Sequence, residues 1–259
     1  MADVDRFQPG EVSWIDLVTT DPSAARDFYG ALFGWDFDIG PPETGRYTLC
    51  RVRGRAAAGM NGTPSERVAP AWTTYFFGDD LAAAAQRIGE LGGRVTQGPL
   101  DIPGQGELVV AGDPTGAVFG LWRPDGPTAR GVRGEPGALS WHEHLSRDLS
   151  AAATFYGGLF GYAWEEVDTG PGGPAYRTFA VAGEALGGAL AMDDTWPASI
   201  GAHWMPYFTV ADADAAASTA EHRGGRVEVP PVTSPWGRFA ALADPQGAVF
   251  SVIDPTTRG

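Results

Sequence analysis

The chain repeats a stretch of its own sequence. Residues 12–35 read VSWIDLVTTDPSAARDFYGALFGW and residues 139–162 read LSWHEHLSRDLSAAATFYGGLFGY, with twelve of the twenty-four positions identical at a constant offset of 127. Further along, DPTGAVF at residues 113–119 is repeated as DPQGAVF at residues 244–250. Repetition on this scale predicts two homologous halves. Each half has about 120 residues, which is enough to form a core of its own.

The segment between the two copies has a different composition. It reads RPDGPTARGVRGEPGA from Arg123 to Ala138 and is rich in glycine and proline, without apolar periodicity. We therefore predict a first domain at residues 1–124, a linker at residues 125–137 and a second domain at residues 138–259. A residue required for packing is expected in both copies, whereas one required for chemistry is free to occur in only one.

Composition excludes several classes of function. The formal net charge of −14 disfavours nucleic acids and anionic membranes as partners, because both require a basic patch. The basic residues are all arginine, which excludes a Schiff-base lysine and the lysine of a nucleotide P-loop. The single cysteine cannot form an internal disulfide or a thiolate metal cage. An acidic, polar start and the lack of a long apolar run predict a cytoplasmic protein, monomeric or homodimeric.

Each half alternates strand and helix patterns in the same order. Residues 12–18 have the period of a strand; a helix capped by Asp21 or Ser23 follows, and then come strand patterns at residues 35–39, 46–52 and around Gly59. The order begins again at residues 72–77, with a helix capped by Asp79 or Asp80 and three more strands at residues 94–97, 106–111 and 117–122. The sequence therefore predicts an α+β fold of four βαβββ modules.

These motifs resemble the vicinal oxygen chelate superfamily, which contains glyoxalase I, bleomycin-resistance proteins and extradiol dioxygenases. The resemblance covers nearly the whole chain and is carried by the unit from the capping aspartate to FY-x-x-LFG, at residues 21–34 and 148–161, and by the Asp-Pro-x-Gly hairpin of each half. It implies that paired modules form two half-open mixed β-barrel domains, each with a small-ligand cavity.

The resemblance also implies where a divalent metal ligand would stand. In metal-dependent relatives, ligands lie on the first strand of each module, seven residues before the capping aspartate, and near the end of the last strand. This chain carries at those positions Trp14, Thr73, Gly120, Trp141, Met205 and Ser251. None of them is a usual metal ligand. No cofactor is therefore predicted, and a divalent metal is the alternative.

The same positions predict a ligand site of another kind. Trp14 and Trp141 at equivalent positions suggest an aromatic-lined cavity, with Thr73, Met205, Gly120 and Ser251 as further lining positions. Strand alternation adds to that face the residues Val18, Leu145, Asp16 and Glu143. Asp16 and Glu143 are acids recurring in both copies, so they are the candidate catalytic or hydroxyl-binding groups, against the alternative of purely structural carboxylates.

Two histidines distinguish the second copy. His142 and His144 replace Ile15 and Leu17, on the strand face expected to pack against the helix. His-Glu-His looks like a metal signature, but on a strand Glu143 points away from both histidines. We therefore favour a structural or interdomain role and retain a site formed by His142, His144 and a third residue as the alternative.

The leading functional hypothesis is binding of a small organic molecule, aromatic or polyketide-like, without a metal. One alternative is an enzyme of the same fold, either a lyase or isomerase with Glu143 or Asp16 as base, or a hydroxylase-like oxidoreductase acting on a secondary metabolite. The other is a resistance protein that sequesters a drug. The sequence leaves these three hypotheses open.

Overall fold

The computed structural model describes residues 7–63, 68–125 and 131–259. Within these ranges it contains four α-helices, at Pro22–Phe33 (α1), Leu81–Glu90 (α2), Leu149–Phe160 (α3) and Ala213–His222 (α4). The strands of the first half are β1 Val12–Thr19, β2 Asp36–Ile39, β3 Thr48–Val52, β4 Arg55–Gly62, β5 Ala71–Phe77, β6 Arg94–Ile102, β7 Gly106–Gly112 and β8 Val118–Pro124. Those of the second half are β9 Leu139–Ser146, β10 Ala163–Val167, β11 Tyr176–Val181, β12 Glu184–Ala191, β13 His203–Thr209, β14 Arg226–Ser234, β15 Gly237–Ala243 and β16 Val249–Asp254.

The strands form two eight-stranded mixed sheets that do not close. Their orders are β2-β3-β4-β1-β5-β8-β7-β6 and β10-β11-β12-β9-β13-β16-β15-β14. In each module the first strand pairs in parallel with the last, as β1 does with β4, while the hairpin strands are antiparallel. The predicted α+β class and the four βαβββ modules are confirmed.

The helix boundaries predicted from the sequence agree best with the structure where a capping side chain determines the start of the helix. Helix α1 begins after Asp21, whose carboxylate accepts hydrogen bonds from the backbone N–H groups of Ser23 and Ala24, and Asp148 caps α3 in the same way.

The prediction that the strand from Arg94 ends at Gln97 is wrong, since β6 continues to Ile102. Gly98, with a φ of 90°, lies where the β6–β7 register shifts, so the glycine forms a bulge instead of ending the strand.

The chain divides into two compact units that each draw on both sequence halves. The first unit contains the described residues within 1–14, 74–130 and 142–204, and the second those within 15–73, 131–141 and 205–259. Part of the predicted linker, residues 126–130, lies outside the described residues. Residues 131–137 belong to the second unit, where the Trp35 indole N–H donates to the carbonyl of Gly137 at 2.7 Å.

Each unit has an aromatic core, and the two cores use equivalent residues. In the second unit the rings of α1 pack against strands of the last module, and the members are Phe28, Tyr29, Phe33, Trp35, Trp72, Phe208 and Phe250. In the first unit the rings of α3 pack in the same way, and the members are Phe76, Phe119, Phe155, Tyr156, Phe160, Tyr162 and Trp204. Burial of rings on this scale supplies most of the stabilisation of each unit.

A chain of hydrogen bonds runs through each core. In the second unit the Trp72 indole N–H donates to the Tyr29 hydroxyl at 3.1 Å, and that hydroxyl donates to the Asp244 carboxylate at 3.1 Å. In the first unit the corresponding atoms of Trp204, Tyr156 and Asp113 are joined at 2.8 and 3.0 Å. The tryptophan, the helix tyrosine and the Asp-Pro-x-Gly turn are thereby fixed to one another in both units.

No described helix has both the length and the apolar character needed to cross a bilayer. The longest, α1 and α3, have 12 residues each, whereas a span requires about 20.

Replacing the bridging tyrosine tests this hydrogen-bonded chain. Tyr29→Phe and Tyr156→Phe keep the ring but leave a buried indole N–H and a buried carboxylate with one partner fewer. We expect each change to lower the free energy of unfolding by about 1–3 kcal/mol in denaturant titrations. Thr154→Ala, which removes an exposed hydroxyl from α3, should change it by about 0.5 kcal/mol or less. If both tyrosine variants unfold with the wild-type free energy, the hydrogen-bonded chain contributes nothing to stability.

Candidate functional site

The first strand of each half shows the alternation that the sequence predicts. On β1 the side chains of Trp14, Asp16 and Val18 are half-buried, while Ile15 and Leu17 between them are buried. One strand face therefore carries the indole and the carboxylate, and the other enters the core. On β9 the same face carries Trp141, half-buried, with Glu143 and Leu145, both buried.

In the second unit a tyrosine holds the carboxylate of β1. The Tyr47 hydroxyl donates to Asp16 Oδ1 at 2.5 Å. Asp16 pairs with Gly59 across β1 and β4, and a Cβ added to Gly59 would overlap both the Tyr47 hydroxyl and the Asp16 carboxylate. A glycine is thus required at this position because the two polar groups meet above its backbone.

The first unit contains the same arrangement. The Tyr176 hydroxyl donates to Glu143 Oε1 at 2.7 Å. Glu143 pairs with Gly188 across β9 and β12, and a Cβ on Gly188 would overlap the Tyr176 hydroxyl. Glu143 is 8% exposed, so this carboxylate is largely removed from solvent. A hydrogen bond in such surroundings is stronger than one in water.

The two tyrosine–carboxylate pairs, Tyr47–Asp16 and Tyr176–Glu143, are the centre of the candidate site. Sequence analysis identified the acids but missed both tyrosines. A signal was present, since each tyrosine stands twelve residues before its glycine, Tyr47 before Gly59 and Tyr176 before Gly188. An ionised carboxylate has two oxygens and can accept several hydrogen bonds, so a ligand hydroxyl is a chemically suitable donor to this group.

The remaining predicted lining positions lie on strands of the two sheets. Thr73 is half-buried on β5 and Met205 is buried on β13. Gly120 pairs with Tyr75 across β5 and β8, and the Tyr75 ring fills the space that a side chain at Gly120 would need. Ser251 is 1% exposed and pairs with Tyr207. Tyr75 and Tyr207, which the sequence patterns did not single out, are thus the strand neighbours of the predicted positions in both halves.

His142 and His144 lie in the core of the first unit, on the strand face predicted for them. The His142 ring packs against Phe76, Phe179 and Trp204. His144 is fully buried, and its Nε2 lies 2.7 Å from Asp113 Oδ2. His144 therefore adds a third side-chain contact to the Asp113 carboxylate, which also accepts from the hydroxyls of Tyr156 and Thr115.

The two turn aspartates differ in their electrostatics. Burial would raise the pKa of Asp113, but the hydrogen bond and charge of His144, with the hydroxyls of Thr115 and Tyr156, outweigh it and hold the pKa below its usual value. In the second unit Leu17 replaces His144, and burial raises the pKa of Asp244. Burial and the neighbouring carboxylate raise the pKa values of Tyr29 and Tyr156.

The side chains do not fit the metal that the family resemblance implies. Within residues 7–63, 68–125 and 131–259, no three His, Cys, Asp or Glu side chains come together in a way that could hold a metal ion. Indole, thioether and glycine occupy the register positions of the family's ligands, and a catalytic divalent ion needs three nitrogen or oxygen donors. No catalytic step is therefore derived through a metal.

The fold and these motifs define the class of protein. The chain belongs to the Glyoxalase/Bleomycin resistance protein/Dioxygenase superfamily, whose pattern matches residues 11–121 and again residues 143–252. The predicted membership is confirmed, and both copies of the repeat carry it.

Individual relatives span nearly the whole chain. It is 36% identical over 255 residues to "Putative glyoxylase CFP32" of Mycobacterium tuberculosis (strain CDC 1551 / Oshkosh), with 96% of each protein covered. It is 34% identical over 264 residues to "Anthracycline biosynthesis protein DauV" of Streptomyces sp. (strain C5), covering 96% of this chain and 94% of that protein. The crystal structure of 2,2',3-trihydroxybiphenyl 1,2-dioxygenase from Sphingomonas wittichii strain RW1 superposes with a TM-score of 0.66 and 13% identity, covering 95% and 90%. At that identity the likeness concerns the fold alone.

The opposite pKa shifts of the two turn aspartates predict different dependences of stability on pH. The lowered pKa of Asp113 gives a stabilisation that is complete above the unfolded-state pKa of about 3.9 and is lost as the pH falls through the folded-state pKa. Asp113→Asn should therefore lower the free energy of unfolding at neutral pH by about 3 kcal/mol or more, and by less as the pH falls below about 4.

Asp244→Asn is the matched control. The raised pKa of Asp244 works in the opposite sense, because its contribution is lost as the pH rises through the folded-state value. A neutral amide should therefore cost less there at neutral pH than at Asp113. Denaturant titrations of both variants between about pH 3 and about pH 7 measure the two profiles. Equal losses at neutral pH would contradict the role assigned to His144.

Proposed function

We propose that this protein binds a small hydroxylated aromatic molecule without a bound metal, using the tyrosine–carboxylate pairs as its polar contacts. The observation that carries the proposal is the repetition of the pair. Tyr47–Asp16 and Tyr176–Glu143 have the same geometry above a glycine, although the acids differ and the halves have diverged elsewhere. Packing alone needs no buried carboxylate at these positions, and burying one costs free energy unless it is hydrogen-bonded.

The chemistry of the strand face supports an aromatic ligand. Trp14 lies two residues before Asp16 on one face of β1, and Trp141 lies two residues before Glu143 on β9. An indole offers a flat surface for stacking, and a carboxylate offers an acceptor for a phenolic or alcoholic O–H. The name of the Streptomyces relative refers to the biosynthesis of anthracyclines, which are polycyclic aromatic compounds, and so supports the same class of ligand.

A lyase or isomerase is the second candidate, and the environment of Glu143 favours it. The carboxylate is 8% exposed and accepts a hydrogen bond from the Tyr176 hydroxyl. A carboxylate in such surroundings can remove a proton from a carbon next to a carbonyl, and the Tyr176 hydroxyl orients the carboxylate that takes the proton. Binding and catalysis share these residues, so a binding test and a turnover test must be made on the same variants.

Tryptophan fluorescence tests binding. Titration with a panel of hydroxylated aromatic compounds should quench the emission saturably for at least one member. For that compound, Glu143→Gln and Tyr176→Phe should each weaken binding about tenfold or more, because each removes a hydrogen bond that involves a charged group. Asp16→Asn and Tyr47→Phe report the second pair in the same way.

The control for these variants is Glu184→Gln, at an exposed carboxylate on the first residue of β12. It should leave the dissociation constant unchanged. Unaltered binding in the double variant Glu143→Gln and Asp16→Asn would rule out the pairs as the polar contacts. If Glu143→Gln retains binding but abolishes turnover of the bound compound, the enzyme is the better description.

Metal independence has its own test. Elemental analysis of purified protein should show far less than one divalent ion per chain, and dialysis against a chelator should leave the ligand's dissociation constant unchanged. A stoichiometric ion whose removal abolishes ligand binding would overturn this part of the proposal, and Trp14→His would then be expected to alter the metal content.

A further inference from the structure

A cleft lies in the second unit, and its lining includes Arg46, the residue before Tyr47, but no member of the tyrosine–carboxylate pairs. Its volume is about 320 Å³, and it is bounded by the start of α1, the end of β2, the turn before β3 and the end of β4. The residues that line it are Asp21, Pro22, Ser23, Arg26, Ile39, Gly45, Arg46 and Gly62. This volume is at the lower end of the range for small-molecule sites.

Two arginines without ion-pair partners line this cleft. Neither Arg26 nor Arg46 has a side-chain hydrogen bond or a carboxylate within salt-bridge distance among the described residues. Other arginines of the same unit are paired, such as Arg55 with Glu135 at 2.5 Å and Arg238 with Asp214 at 2.6 Å. The chain has 32 acidic and 18 basic residues, so two unpaired cations facing one small cleft are unexpected from composition.

The acidic residue of the cleft does not neutralise them. Asp21 Oδ1 accepts the backbone N–H groups of Ser23 and Ala24, each at 3.0 Å, and so serves as the cap of α1. Those same bonds occupy the N–H donors at the start of the helix. The charged donors that line the cleft are therefore the guanidinium groups, each of which can bind a carboxylate or phosphate through two parallel hydrogen bonds.

The internal repeat shows that the scaffold does not require these residues. Ile39 pairs with Thr48 in the first half, and Glu166 pairs with Arg177 at the equivalent register of the second. By the same correspondence, Arg26 is replaced by Ala153 and Arg46 by Ala175. The second copy folds with an acid and two alanines where the first has an apolar residue and two arginines.

Two local features fit a ligand with a charged and an apolar part. The Ile39 side chain is 51% exposed at the cleft, which leaves apolar surface next to the guanidinium groups. Arg46 has a φ of 59°, in the left-handed region that non-glycine residues rarely adopt, and this conformation costs free energy that the fold must offset.

We infer that this cleft binds a small organic oxyanion, a carboxylate or phosphate attached to a short apolar group. Arg26 and Arg46 hold the head group between them, and Ile39 contacts the apolar part. The site contains no member of the tyrosine–carboxylate pairs and is confined to the first copy of the repeat.

The test uses benzoate, acetate and inorganic phosphate as probes, followed by chemical-shift changes in amide NMR spectra of the full chain. Benzoate should shift the amides of residues around Arg26, Ile39 and Gly62. It should bind more tightly than acetate because of the contact with Ile39. Phosphate tests the charged head group alone. Arg26→Ala and Arg46→Ala should each weaken benzoate binding about tenfold or more, and added salt should weaken it in the wild type.

Arg94→Ala is the matched control, since Arg94 is exposed on β6 and has no ion pair among the described residues. It should leave benzoate binding unchanged, whereas a loss equal to that of Arg26→Ala would reveal a general charge effect and overturn the proposal. Benzoate shifts that persist in the double variant Arg26→Ala and Arg46→Ala would also overturn it. The double variant Glu143→Gln and Asp16→Asn should retain the benzoate shifts, so failure of this site and failure of the proposed function are distinguishable.

Discussion

The hydrogen-bonded chain of tryptophan, tyrosine and aspartate is the interaction on which each compact unit depends. The tyrosine comes from a helix of one sequence half, and the aspartate from the Asp-Pro-x-Gly turn of the other, as Tyr29 and Asp244 show. The aspartate also accepts the N–H groups of its own turn, from Gln246 and Ala248. One buried carboxylate thus fixes a turn and a helix at once, which explains why the FY and Asp-Pro-x-Gly motifs recur together.

The sequence alone predicted the modules but not their association. Period-2 and period-3.6 patterns, with aspartates as caps, are local signals, so α1 and its cap at Asp21 could be placed to within a residue. Which modules share a core depends on contacts between residues more than a hundred positions apart, such as Phe28 with Phe250. Periodicity carries no information about such pairs.

The candidate site likewise contains residues that the sequence predicted and residues that it did not. Alternation on β1 and β9 predicted that Asp16 and Glu143 lie on the strand face opposite the one that enters the core, because adjacent side chains of a strand point in opposite directions. Tyr47 and Tyr176 could not be assigned to them in that way, since each reaches its acid across a neighbouring strand and only the register places them above Gly59 and Gly188. Register between strands depends on pairing, which a single sequence does not show.

The two copies are equivalent in geometry but not in environment. Asp16 is half-buried beside Tyr47, whereas Glu143, one methylene longer, is 8% exposed beside Tyr176. A hydrogen bond from a ligand to Glu143 competes with less water, so the same contact is stronger there. The second copy also places His144 against Asp113 where the first has Leu17 near Asp244, and the strand that carries Glu143 is thereby tied to its core by one more polar contact. A carboxylate on a strand held in this way loses less entropy when a ligand binds. On the proposed function, the pair that contains Glu143 is therefore the tighter ligand contact, and the proposed arginine cleft gives the first copy a different specificity.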